Sequence, residues 1–169
     1  TSSLILIVQE LGALPLLIAG TPEQQARWFP DLAAGRTLAA FGLTEPEAGS
    51  DAASIRTRAI RDGDDYVITG TKRFITNGSV AGLLTVFAVT DPEAPRHRRL
   101  SCFAVEVPAD GFRVARLEHK MGIRGSPTAE LTFDAVRVPA TNRVGAEGDG
   151  FSIAMATLDV FRSTVGAAA

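Results

Sequence analysis

Apolar and polar positions recur with two different periods along this chain, and the changes of period divide it into three regions. From Ser3 to Gly35 the pattern is helical. Leu4, Val8, Leu11 and Leu14 are spaced four, three and three apart, which lines up one buried face. Gly20 stops that segment. Thr21-Pro22-Glu23-Gln24 then offers an N-cap hydroxyl, a proline at the first helical position and a glutamine able to close a capping box. The helix that follows is predicted to bury Ala26, Phe29 and Ala33 and to end at Gly35.

From Leu38 to Val144 the period shortens to that of strands. In Ile55-Arg56-Thr57-Arg58-Ala59 the odd positions suit a core and the arginines suit water. Asp62-Gly63-Asp64-Asp65 marks a turn, and Tyr66-Val67-Ile68-Thr69 returns as a strand. Leu83–Val89, Leu100–Val107, Phe112–Leu117 and Leu131–Val138 are further strands, with a polar, exposed loop at Thr90–Arg99. With no ten-residue helix among them, these strands favour a small antiparallel barrel or sandwich over a βαβ fold. Helical spacing resumes at Phe151, Ala154, Met155, Leu158, Phe161 and Val165. The expected fold class is therefore α+β: a middle antiparallel β-barrel between two truncated helical domains, bounded as 1–37, 38–145 and 146–169. Because the chain starts at Thr1 and stops inside a helical pattern, both ends are expected to lie within a longer protein.

Apolar residues make up 46% of the 169, enough for a packed body. Seventeen basic and nineteen acidic side chains leave a net charge of -2, which disfavours a dedicated nucleic-acid binder. Cys102 is the one cysteine, so no intrachain disulfide or cysteine-rich metal site can form. A reducing, cytoplasmic location is the expectation. Neither Leu4–Val8 nor Ala13–Ala19 approaches the ~20 apolar residues of a membrane span, and no basic segment precedes them as in a leader. His97 and His119, 22 residues apart, make no case for a metal.

Two clusters carry chemistry. Thr44-Glu45-Pro46-Glu47-Ala48-Gly49-Ser50-Asp51 is either a solvated, capped turn or a ligand loop whose hydroxyls and N–H groups meet a polar or phosphorylated partner. In the second case its carboxylates must point away. Lys72-Arg73-Phe74-Ile75-Thr76-Asn77-Gly78 is either a strand end turned at Asn-Gly or a wall for a planar ligand. No GxGxxG or P-loop pattern is present.

Taken together, these blocks resemble the flavin-dependent acyl-CoA dehydrogenases. Phe41-Gly42-Leu43-Thr44-Glu45-Pro46-Glu47-Ala48-Gly49-Ser50-Asp51 is similar to the family's T-E-P-x-A-G-S-D signature. Gly70-Thr71-Lys72-Arg73-Phe74-Ile75-Thr76-Asn77-Gly78 is similar to its G-x-K-x-[WF]-I-T-N-G. Met121–Thr128, Phe133-Asp134, Val136–Pro139, Gly148-x-Gly150-Phe151 and Leu158-Asp159-x-x-Arg162 follow in family order. The resemblance implies a helical, β-barrel, helical architecture, FAD as cofactor and oxidation of an acyl-CoA to its 2,3-enoyl form. It implies a homodimer or homotetramer, and an electron-transfer flavoprotein as acceptor. Acyl-CoA oxidases, nitroalkane oxidases and flavin monooxygenases use the same scaffold, and a non-catalytic acyl-CoA-binding member is a further alternative.

Carried over residue by residue, the resemblance gives Phe41, Leu43, Thr44, Gly49, Ser50, Phe74, Ile75 and Thr76 to the flavin. Thr44 would bond its pyrimidine side, and Thr76 would bond near N5 and O4. Phe74 stands where many members carry Trp, which keeps stacking and loses the indole N–H. Ser50, Asp159 and Arg162 would lie toward substrate, with Arg162 a supporting residue near the catalytic centre. For Asp159 and Arg162 an ordinary helical ion pair is the other reading. A minority of members carry the catalytic base immediately before that arginine, but Phe161 occupies the place here. The base is thus expected beyond residue 169, and the 169-residue piece is expected neither to turn over substrate nor to hold FAD tightly.

Overall fold

A computed structural model describes residues 2–168, with side chains for residues 9–167. Helix α1 spans Ser2–Ala19 and α2 spans Pro22–Ala33. The Leu4 and Val8 side chains of the expected α1 face lie outside the described residues; Leu14 is buried and Leu11 half-buried. The capping box forms as expected: the Gln24 N–H donates to the Thr21 hydroxyl at 3.2 Å, and the Thr21 N–H donates to the Gln24 side chain at 3.0 Å. Just past the helix, Gly35 takes a left-handed φ of 69°, and the Arg36 N–H closes the end on the Asp31 carbonyl at 2.9 Å.

The buried face of α2 differs from the one read off its periodicity. Gln24, Trp28 and Leu32 face inward, Phe29 is half-buried, and Ala26 and Ala33 are exposed. Polarity hid the answer at Gln24. Its amide N–H groups are satisfied by the carbonyls of Thr141 at 2.7 Å and Arg143 at 2.8 Å, so a polar side chain can be buried there. Trp28 likewise donates its indole N–H to Glu106 at 2.7 Å.

Eight strands follow: β1 (Ala39–Gly42), β2 (Arg58–Asp62), β3 (Asp65–Thr76), β4 (Leu83–Val89), β5 (Leu100–Glu106), β6 (Phe112–Leu117), β7 (Thr128–Pro139) and β8 (Arg143–Val144). The expected alternation across Ile55–Ala59 holds in burial, although the strand itself begins only at Arg58.

The sheet corrects the expectation of an antiparallel barrel. Its strand order is β6-β7-β3-β2-β4-β5-β8, with β1 paired to β4, and it is mixed and does not close. Both β1 and the start of β2 pair with β4 in parallel, sharing one of its edges. Local periodicity reports which residues face a core; it does not report strand direction, which is set by partners far away in sequence. On the outer strand β6, every residue after Phe112 is exposed.

Two apolar clusters divide the interior. One fills the inner face of the sheet around Tyr66, Ile68, Leu84, Phe103, Leu131 and Val136. The other joins the opposite side to the helices through Leu16, Trp28, Leu32, Phe87, Ile153 and Ala154. Helix α3, Gly150–Ala168, supplies the last two. Close approach of α1 to β1 depends on Gly12, where a Cβ would lie 2.6 Å from the Ala39 carbonyl carbon. Gln9 fixes the same junction by accepting the Ala39 N–H at 2.7 Å and donating to the Thr37 carbonyl at 2.9 Å. Among the described residues, no helix is long and apolar enough to cross a membrane.

Candidate functional site

The two motif clusters meet where β1 and β3 come together beneath α1 and α3. After Gly42 the chain turns through a tight loop in which Glu45 and Ala48 exchange backbone hydrogen bonds of 3.0 and 3.2 Å. β3 grips this loop at two successive residues. The Arg73 N–H donates to the Thr44 carbonyl at 2.8 Å. Lys72, with a side chain 0% exposed, donates to the Glu45 carboxylate at 2.8 Å and to the Leu43 carbonyl at 3.1 Å.

Glu45 accepts two more bonds, from the N–H groups of Arg56 at 2.6 Å and Thr57 at 3.0 Å. Burial acts to raise its carboxyl, but the Lys72 charge and these bonds outweigh that and hold it below its usual 4.5. Burial draws Lys72 down from 10.5 to about 8, with Glu45 opposing the fall, so both groups are charged at neutral pH. Folded Glu45 therefore binds a proton less readily than unfolded Glu45. Its stabilising contribution is complete above about pH 4.5 and disappears as pH falls through the lower folded value. Glu45→Gln should remove that part of the acid dependence, measurable as a flatter stability curve below pH 5 in the full-length protein, on the order of one carboxylate's titration.

The other two carboxylates of the loop are likewise engaged away from the cleft. Glu47 pairs with Arg56 at 2.7 Å, and Asp51 bonds Arg96 and, at 2.6 Å, the Ser54 hydroxyl. A carboxylate-bearing loop can thus present hydroxyls and backbone to a ligand without repelling an anion.

On β3, a register shift against β7 between Lys72 and Ile75 forms a bulge. Within it Phe74 adopts a φ of 58°, left-handed for a non-glycine residue, and the residue is 56% exposed. The Arg73 guanidinium lies 4.8 Å from the ring centroid. Ile75 points inward, 2% exposed, and the expected Asn77-Gly78 turn is made with Asn77 at a φ of 61°.

Phe41, Leu43, Thr44, Gly49, Ser50, Phe74, Ile75 and Thr76 all line a single cleft of about 340 Å³. Leu11, Ala52, Met155 and Leu158 complete its wall. Periodicity places Met155 and Leu158 in the core of a helix, and the same i, i+3 spacing sets both against this cleft. Thr44, Ser50 and Thr76 line the cleft and, among the described residues, their hydroxyls make no hydrogen bond to protein. A larger groove of about 560 Å³, which includes the exposed His119, contains none of the eight.

Asp159 and Arg162 are not brought to the cleft. They form an i, i+3 ion pair of 3.0 Å on the outer face of α3, 71% and 73% exposed, while Leu158 of the same turn faces inward. No carboxylate lines the cleft among the described residues.

Residues 40–136 match the family model described as acyl-CoA dehydrogenase, middle domain. The chain belongs to the acyl-CoA dehydrogenase family. It is 48% identical over 159 residues to an acyl-CoA dehydrogenase of Bacillus subtilis, covering 94% of this chain and 42% of that protein. It is also 48% identical over 169 residues to the cyclohexane-1-carbonyl-CoA dehydrogenase of Geobacter metallireducens, covering 100% of this chain and 44% of the other. Butyryl-CoA dehydrogenase from Megasphaera elsdenii superposes with a TM-score of 0.92 at 43% identity, covering 96% of this chain and 43% of that one. The acyl-CoA dehydrogenase segment seen here thus spans under half the length of these relatives.

Proposed function

We propose that this chain, within a polypeptide of its relatives' length, forms the flavin-facing half of an FAD-dependent dehydrogenase that converts an acyl-CoA to the 2,3-enoyl-CoA. The observation carrying this reading is the cleft. Two chain segments some thirty residues apart deliver eight residues to one cleft, apolar except for Thr44, Ser50 and Thr76, whose hydroxyls have no protein partner among the described residues. Such a surface suits a flat ring with a polar edge. Phe41, Leu43, Phe74 and Ile75 would hold the ring, Thr44 and Thr76 would bond its polar edge, and Gly49 and Ser50 would reach toward phosphate or substrate.

FAD, when bound, supplies the hydride acceptor. The residues of this chain orient the ring and exclude water from its buried side. They do not supply the base, because Glu45 is fixed to Lys72 and Phe161 cannot accept a proton. The base belongs to a segment outside this chain. Asp159 and Arg162, on the outer face of α3, are assigned to substrate or to the fold of the remaining helices. In this reading residues 1–37, 38–145 and 146–169 belong to three successive domains of a homodimer or homotetramer, and an electron-transfer flavoprotein takes the electrons. Anaerobic addition of a saturated acyl-CoA to the full-length protein should bleach the visible flavin absorbance. A flavin that stays oxidised with straight- and branched-chain thioesters alike would refute the reading.

A further inference from the structure

We propose that Lys72 is a positioning residue for the cleft: its buried ammonium fixes and polarises the Leu43–Thr44 peptide, so that the Thr44 N–H serves as a donor to the bound ring. Burying this ammonium is costly. A lysine with no exposed side-chain surface has been stripped of water, and Glu45, 7% exposed, compensates for only part of its hydrogen-bonding capacity. Another of its donors is spent on a backbone carbonyl, that of Leu43, at 3.1 Å.

A peptide is planar and trans, so its C=O and N–H point in opposite directions. With the Leu43 carbonyl held against Lys72, the Thr44 N–H must point away from that ammonium. Among the described residues it has no acceptor, whereas the Thr44 carbonyl on its other side is occupied by the Arg73 N–H at 2.8 Å. Thr44 lines the cleft. A cation on the carbonyl end of an amide also strengthens its N–H as a donor, because bonds in a chain polarise one another at low dielectric. Such a donor favours a ring whose polar edge gains negative charge on reduction.

This inference rests on the flavin reading, and the test separates the two. The paired variant Lys72→Met with Glu45→Gln removes both charges, leaves the net charge unchanged and avoids a lone buried carboxylate. In the full-length flavoprotein the variant should hold reduced flavin, relative to oxidised, roughly tenfold less well. For a two-electron couple that is a potential about 30 mV lower. Its crystal structure should show the Leu43–Thr44 peptide rotated or spread over several orientations. An unmoved peptide, or an unchanged potential in a folded, flavin-loaded variant, would overturn the role given to Lys72. Should the full-length wild type carry no flavin, the flavin reading fails on its own, and the peptide orientation still decides for or against Lys72.

Discussion

Lys72→Met alone should destabilise the folded protein by about 3–5 kcal/mol, the largest effect expected of any single substitution around the cleft. Of the ion pairs among the described residues, Lys72–Glu45 is the one with both side chains buried; the others retain at least a fifth of their side-chain surface. Removing the cation strands a carboxylate that keeps only the N–H groups of Arg56 and Thr57. Coupling Lys72→Met to Glu45→Gln should restore most of the loss, since a neutral pair of similar size carries no unpaired charge. Urea unfolding of the three variants in the full-length protein measures both. A single-variant loss near the ~1 kcal/mol of an exposed pair would mean that water reaches the site.

Thr76→Val is the second. Its hydroxyl has no protein partner among the described residues and the residue is only half-buried, so removing it should leave the fold intact. If that hydroxyl bonds the edge of the ring where charge develops, about 1.5–3 kcal/mol of stabilisation disappears. Flavin reduction should then slow roughly ten- to a hundredfold, with substrate affinity little changed. Stopped-flow reduction under anaerobic conditions reads this directly. An unchanged rate would remove Thr76 from the chemistry.

How far these features could be read in the sequence depends on how local they are. The capping box at Thr21, the burial alternation at Ile55–Ala59 and the limits of β4 (Leu83–Val89) and β6 (Phe112–Leu117) were legible, because each depends on neighbours in the chain. The parallel alignment of β1 with β4 was not, since Ala39 pairs with Leu83 and nothing near either residue specifies direction. The same limit hid the bond between Lys72 and Glu45, which are 27 positions apart. Each residue was visible inside its own motif, but only the fold shows that one neutralises the other. The left-handed Phe74 was equally hidden: aromatic residues seldom adopt that conformation, and the bulge that enforces it arises from pairing with β7. The cleft residues themselves came from motif resemblance, and their convergence on one wall is a finding of the structure.

A crystal structure of the full-length protein with FAD tests the central claim most directly. The flavin's three-ring system is expected in the cleft, with the Thr44 N–H and the hydroxyls of Thr44 and Thr76 bonded to its polar edge and Phe74 against its plane. A ring bound elsewhere, with Thr44 and Thr76 both left to solvent, would contradict it.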